Sequence, residues 1–405
     1  MLSTFIRKFD WTLFLSALAL MGAGLLVLAS ASANQVENYA VRQAIWYLLG
    51  LPVLLVAALL PPGFWFATSW VVYGASLLLL LAVKIMGVVG MGAERWIAIG
   101  PLHFQPSELG KFALVLALAR FLSDNRMDLS RFRNIAAALL IAGTPLFLVL
   151  LQPDLGTALI YGFVIFPMLI RAGLPWSWAL FLIAPLVAIL LSTSIFMLLG
   201  FILLLAVVLW YSEIGLLLNF GILGLTATVG FSLPALWGLL HEYQQKRILT
   251  FLNPEADPLG AGYQIIQSKV AVGSGGLFGK GWLQGTQTQL DFLPERHTDF
   301  IFSVLAEEWG FLGASTVLAL FTVLLVRAMV VGLGHRNGYC ALVMTGLSSV
   351  LFFHVLVNAG MTLGIMPVTG LPMPFLTYGG SFVLTTLLIL GVLLNFSWHR
   401  RDSLT

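Results

Sequence analysis

The sequence predicts an all-α polytopic membrane protein, and three observations carry that prediction. Of its 405 residues, 60% are hydrophobic and only 9% charged, whereas a soluble domain carries about a quarter charged residues. The apolar residues fall in long continuous runs, which suit spanning helices and exclude a β-barrel built of short alternating strands. Of the 20 Lys and Arg, 11 fall on one side once the runs are threaded in turn, and five of the other nine lie in the long loop 241–300, where such orientation signals are weak. The net charge of +3 is therefore read as topology, and nucleic acid is not an expected partner. One cysteine, Cys340, sits inside an apolar run, so neither a disulfide framework nor a thiolate metal site is available.

Twelve candidate spans follow in order, near 11–32, 45–60, 64–86, 107–122, 135–151, 156–170, 178–193, 195–211, 214–240, 301–326, 339–360 and 376–397. The first ends in Ala29-Ser-Ala-Ser-Ala33, like a signal-peptide cleavage site. It is longer than a usual signal core and more spans follow, so it reads as an uncleaved helix. With the first span starting inside, Arg7, Lys8, Arg120, Arg126, Arg131, Arg133, Arg171, Arg327, Arg336, Arg400 and Arg401 are cytoplasmic. The short connection Ser123–Asn134 decides the orientation, because it holds three of those arginines. Both termini then lie inside and the long polar loop 241–300 lies outside. A reaction there has no ready supply of ATP or nucleotide sugar, so its substrates should arrive activated. The chain shows no phosphate-binding glycine motif, and its six histidines lack ligand spacing.

Besides the acidic stretch Asp291 to Glu308, four polar constellations share the outer side. Asp291 to Glu308 holds five of the 17 acidic residues, with Arg296 and His297 among them. Charge beside a bilayer is expensive and marks function by default. Thr298 is the expected N-cap of the following helix, placing Asp299 in its first turn. There Asp299 either complements the helix dipole or does chemistry. Arg95 precedes Phe104-Gln-Pro-Ser-Glu-Leu-Gly-Lys111, in which Pro106 suits a first helical turn and Glu108 and Lys111 share a face. That pair is either a local cap or a cation placed to meet a lipid phosphate. Gln152-Pro-Asp-Leu-Gly-Thr157 reads as a tight turn. Within the long loop, Tyr243–Arg247 is polar, and Tyr263–Val272 is expected to form an amphipathic helix on the membrane with Lys269 toward the headgroups. The stretch Gly370 to Ser381 is broken by Pro and Gly, which membrane depth tolerates only where the backbone lines a cavity or is buried in protein. Together these segments imply a polar cavity open to the outer leaflet.

Phe104-Gln-Pro-Ser-Glu-Leu-Gly-Lys111, Gln152-Pro-Asp-Leu-Gly-Thr157, Gly260-Ala-Gly-Tyr-Gln-Ile-Ile-Gln267, Leu293-Pro-Glu-Arg-His-Thr-Asp-Phe300 and Tyr378-Gly-Gly-Ser381 resemble the motifs of the SEDS family of bacterial cell-wall proteins. The likeness runs over nearly the whole chain, in order, and Arg296 resembles the RodA branch. It implies one integral membrane domain over 1–405, with 241–300 as the extracytoplasmic catalytic loop. The family usually has ten spans, and 178–240 is an expanded region long enough for three helices where one is expected. Two additional spans keep the loop outside.

The resemblance further implies a peptidoglycan glycosyltransferase that polymerises lipid II, an undecaprenyl-diphosphate-linked disaccharide pentapeptide. A hydroxyl of one substrate must attack the anomeric carbon of another, and it needs a positioned base. The family's catalytic aspartate falls on Asp299. Displacement of the α-linked diphosphate inverts that carbon, giving a β-1,4 glycan. The leaving diphosphate needs cations or a divalent metal, Mg or Mn. Lys111, Arg95, Arg247 and Lys269 are the candidate cations. Glu108, Gln105, Asp154 and Ser381 complete the expected substrate-binding set. Expected partners are lipid II, membrane lipids and a class B penicillin-binding protein, in the cytoplasmic (inner) membrane of a bacterium. A lipid II flippase, or a scaffold for the elongation complex, is the alternative.

Overall fold

The computed structural model describes residues 9–400, apart from 87, 91–92, 100–101, 125–126, 212–214, 233–234, 236, 239–241, 259 and 261. Of the orientation signals, Arg7, Lys8, Arg126 and Arg401 lie outside the described residues.

Each predicted apolar run holds a helix, the run 214–240 as far as Phe231. The first are α1 (Trp11–Ala31), α2 (Tyr39–Leu59), α3 (Pro62–Met86), α4 (Pro106–Leu122), α5 (Phe132–Leu150) and α6 (Leu155–Arg171). Then come α7 (Trp176–Leu191), α8 (Ile195–Trp210) and α9 (Leu216–Phe231), the three expected of the expanded region. The outer loop folds into α10 (Glu242–Leu252), α11 (Tyr263–Ser274) and α12 (Thr286–Gln289). The chain closes with α13 (Ile301–Leu333), α14 (Gly338–Thr362) and α15 (Gly380–Trp398). Seven helices among the described residues are long and apolar enough to cross a membrane, and the chain is a multi-pass membrane protein. Three short strands, β1 (Val88–Gly90), β2 (Ala93–Ile99) and β3 (Leu102–Phe104), form an antiparallel sheet that the apolar pattern does not announce. Its second hairpin pairs Ile97 with Phe104 and delivers the chain to Gln105.

One core joins α1–α6 to α13–α15. Where polar groups enter it, they tie helices together. Asp10 caps α1 at Leu13 N and accepts from Arg327 Nε at 2.9 Å and Ser397 Oγ at 2.7 Å, joining α1, α13 and α15. Asn395 donates to Ala58 O and Leu60 O at 2.7 and 2.6 Å, pairing α15 with the end of α2. Helices α7–α9 bury their own small cluster around Ala184, Leu205, Leu209 and Ile222.

Helix α13 is not one rod. Gly310 has φ 67° and ψ −168°, a conformation that only glycine adopts without strain. The backbone groups freed by this break are taken up by the glycine-rich loop before α12. Phe311 N and Leu312 N donate to Gly276 O and Leu277 O at 2.8 and 3.1 Å, while Lys280 N and Gly281 N donate to Glu307 O and Glu308 O, each at 3.0 Å. A helix interrupted at membrane depth persists only when its backbone finds such partners.

Candidate active site

A cavity of about 500 Å³ opens where the polar constellations converge. Trp96 and His103 of the small sheet line one side, followed by Gln105 and by Glu108 of α4. Asp154 and Thr157 at the start of α6, and Arg247 of α10, add to the wall. Thr298 and Asp299 face them, with Thr369–Pro372, Thr377–Gly379 and Phe382 completing the enclosure. Motifs separated by more than 200 residues, such as those of Glu108 and Thr377, thus meet in one place, as the reading of a shared cavity expected.

Asp299 is fixed through three successive carbonyls. His297 O accepts from Tyr378 N at 3.1 Å, Thr298 O from Thr377 Oγ1 at 3.3 Å, and Asp299 O from Asn358 Nδ2 at 3.1 Å. The Asp299 carboxylate lies against Gly370, whose φ is +75° and where an added Cβ would sit 3.5 Å from Oδ2. The expected cap is corrected: Thr298 Oγ1 donates back to Glu295 Oε2 at 2.9 Å and O at 3.2 Å, and α13 starts only at Ile301 without a side-chain cap. Glu295 itself is left-handed, at φ 51°. Asp299 therefore precedes the helix on a turn held from outside. Beside it, His297 stacks on Tyr39 with ring centroids 4.0 Å apart, and burial holds its imidazole below the usual histidine range.

Arg296 is the clamp of this turn. It is 3% exposed, donates from Nε to Ala31 O at 2.7 Å and from Nη1 to Thr288 O at 2.6 Å, and pairs with Asp291. Glu307 does similar work one element away. Its carboxylate accepts from Lys280 Nζ at 2.8 Å, Gln287 N at 2.9 Å and Thr288 Oγ1 at 3.1 Å, capping α12, while Glu308 accepts from Ser30 Oγ. Most of the stretch's acidic residues are thus structural, and Asp299 is the carboxylate among them that lines the cavity.

The remaining expected residues divide. Gln105, Glu108, Asp154 and Arg247 line the cavity with Asp299. Asp154 also caps α6, its carboxylate accepting from Thr157 N at 3.1 Å and Thr157 Oγ1 at 2.9 Å. Ser381 sits just behind the wall, where Oγ donates to His103 O at 3.0 Å and accepts from Gln105 N at 3.2 Å. Lys111 is 2% exposed and not part of the lining; its ammonium lies 2.8 Å from Glu108 and 2.8 Å from His354 Nε2. Lys269 projects from the exposed side of α11, beside Gly364, and is likewise outside the lining. Helix α11 is docked on protein by Ile265, Ser268 and Ala271, with Ser268 Oγ 2.7 Å from Thr362 O. Arg95 belongs to β2, but its side chain lies outside the described residues. Two contributors went unread: His354 and Asn358, polar residues one turn apart within the apolar run of α14. That i, i+4 spacing was the available signal.

The chain matches the cell cycle protein family of FtsW, RodA and SpoVE over residues 10–203 and 191–402. It belongs to this family. Among the relatives of this SEDS protein, peptidoglycan glycosyltransferase MrdB of Escherichia coli K12 is 37% identical, over 97% of this chain and 94% of that one. Peptidoglycan glycosyltransferase RodA of Treponema pallidum is 34% identical, over 97% and 98%. A solved structure described as a peptidoglycan synthase complex that coordinates polymerisation and crosslinking contains a similar chain. That chain has a TM-score of 0.76 and 35% identity, over 98% of this protein and 99% of its own length. The Thermus thermophilus rod shape determining protein RodA matches with TM-score 0.66 and 31% identity, over 98% of each chain.

Proposed function

We propose that this SEDS protein is the peptidoglycan glycosyltransferase of cell elongation, joining lipid II units into β-1,4 glycan with release of undecaprenyl diphosphate. The observation that carries the reading is Asp299, a half-buried carboxylate lining a cavity built from all four polar constellations. Asp299 takes the proton of the acceptor hydroxyl as that oxygen attacks the donor's anomeric carbon. Departure of an α-linked diphosphate from the opposite face inverts the carbon, so one base is enough. Arg247 stands on the wall as the cation for the diphosphate, and Gln105 and Asp154 contact sugar or diphosphate. Lys111 acts from behind Glu108 and sets that carboxylate's place. Lys269 and Arg95 are further candidate cations for the substrate's diphosphate.

Among the described residues, no group of three or more His, Cys, Asp or Glu could hold a metal. Glu108 and Asp299 line the same cavity, and such a wall fits a Mg²⁺ or Mn²⁺ shared with substrate phosphates rather than caged by protein. Glu108 would be its protein ligand, and the ion would neutralise charge on the leaving diphosphate.

The protein works in the bacterial cytoplasmic membrane, with both termini inside and the cavity facing out, paired with a class B penicillin-binding protein. The test is purified protein, with that partner, incubated with lipid II. Wild type makes glycan ladders and Asp299→Asn makes almost none. A flippase gives the reverse: lipid transport survives in Asp299→Asn, and wild type yields no polymer. Orientation is read separately. A cysteine in place of Phe278, 80% exposed, reacts with an impermeant thiol reagent from outside, and one in place of Arg133 does not.

A further inference from the structure

Helix α14 runs through the core with most of its length buried, and a polar side chain there must find a partner. Several do so within the helix. Thr345, Ser349 and Thr362 donate to Ala341 O, Thr345 O and Ala359 O of the same helix, the local back-bonding open to any hydroxyl. His354 and Asn358, both 0% exposed, reach outward instead.

Their partners follow one pattern. Lys111 Nζ lies 2.8 Å from His354 Nε2, and an ammonium can only donate. Nε2 therefore accepts, and the ring proton sits on Nδ1, which donates to Pro372 O at 2.9 Å. The same ammonium is 2.8 Å from Glu108. One turn further on, Asn358 Nδ2 donates to Leu371 O at 2.8 Å and to Asp299 O at 3.1 Å. Both of its acceptors are carbonyls, which fixes the amide with its NH₂ toward them. The two side chains thus grip adjacent carbonyls of the irregular cavity wall. From that grip one string runs through Lys111 to Glu108, and the other ends on Asp299.

We infer that His354 and Asn358 are positioning residues which, through these two strings, set the separation of Glu108 and Asp299 across the cavity. The claim deepens the polymerase reading and rests on it for its kinetic consequences. Neither residue lines the cavity, so their effect on substrate is indirect. A carboxylate that must meet a hydroxyl within hydrogen-bond reach is sensitive to small displacements; a 1 Å error costs about 100-fold in rate.

The experiment uses the full-length protein with its partner, kinetics on lipid II, the thermal unfolding midpoint and amide hydrogen exchange. The variants are Asn358→Ala, His354→Leu, His354→Gln and, as control, Ser349→Ala. Asn358→Ala and His354→Leu are expected to lose roughly 10- to 100-fold in kcat with KM within about twofold. His354→Gln restores most of the rate, because its carbonyl can accept from Lys111 while its NH₂ donates to Pro372 O. Ser349→Ala stays close to wild type. Exchange in Asn358→Ala quickens together over 297–300 and 369–378, a readout that needs no activity. If wild type makes no glycan, the polymerase reading fails, while the exchange data still decide the positioning claim. The claim is overturned if kcat is unchanged in Asn358→Ala and His354→Leu, or if loss tracks the unfolding midpoint alone. His354→Gln as impaired as His354→Leu, or exchange unchanged in both segments, overturns it too. Should Asn358→Ala not fold, His354→Gln against His354→Leu and their exchange carry the same decision.

Discussion

Helices α14 and α9 are both apolar runs, yet they are built for different surroundings. In α14, polar residues recur along a buried rod: Thr345, Ser348, Ser349, His354, Asn358 and Thr362 are each at most 6% exposed. In α9, Leu216, Leu217 and Phe220 are 72%, 89% and 71% exposed, and α7–α9 gather around a core of their own. Hydropathy alone does not separate them. Polar residues alone do not either, since α9 holds Asn219, Thr226 and Thr228; what separates the two is burial, for most of α14 lies inside the protein while much of α9 is exposed. The central helices carry the site, and the peripheral trio presents hydrocarbon to hydrocarbon.

That contrast breaks first at Asp299. Asp299→Asn keeps shape but takes no proton, so polymerisation should fall by roughly 10²–10⁴ with folding intact; glycan yield against unfolding midpoint checks it. Next is Gly310→Ala. Its Cβ would lie 2.2 Å from Gly279 N at a φ of +67°, and a loss of about 3 kcal/mol or more is expected from strain and clash together. Denaturant titration of the purified protein measures it. Arg296→Ala strips Ala31 O and Thr288 O of a charged donor and should cost about 2 kcal/mol, with faster proteolysis of 286–300 as the local sign.

A smaller effect separates site from scaffold by pH. The folded protein holds the His297 imidazole below its ordinary value of 6.5, so the unfolded chain binds the proton more readily. Stability is fully present above about pH 6.5 and declines as pH falls toward the folded value. His297→Phe, which keeps a ring against Tyr39, should flatten the unfolding midpoint below pH 6.5; an unchanged slope removes His297 from the acid response. The smallest effect belongs to the trio. Leu217→Ala should move stability by no more than about 0.5 kcal/mol and leave kcat alone. A large loss there would show that α9 is covered by something more specific than lipid.

The apolar runs gave every long helix, because spanning length and composition leave little choice. The motifs likewise foretold a shared cavity, since Pro106, Pro153 and the Gly370–Ser381 stretch each interrupt regular backbone on one side. What escaped was set by distant contacts. Lys111 reads either as a partner of Glu108 or as a cation for a phosphate; the ion pair with Glu108 forms, and what the sequence does not show is the His354 contact beside it. Thr298 reads as a cap until Glu295 turns left-handed and claims its hydroxyl. The break at Gly310 had one glycine as its signal, a weak one inside a helical run. The three-stranded sheet is too short for its alternation to stand out.

The handholds on the Asp299 turn carry a consequence for how the protein is made. Asn358, which holds Asp299 O, is 59 positions further along the chain, and Thr377, which holds Thr298 O, follows its partner by 79. A ribosome has therefore delivered Asp299 well before the residues that give it a fixed place. A nascent chain stalled between Leu333 and Gly338 already carries Asp299 but neither of these handholds, so the cavity wall around it is completed only when synthesis is nearly over.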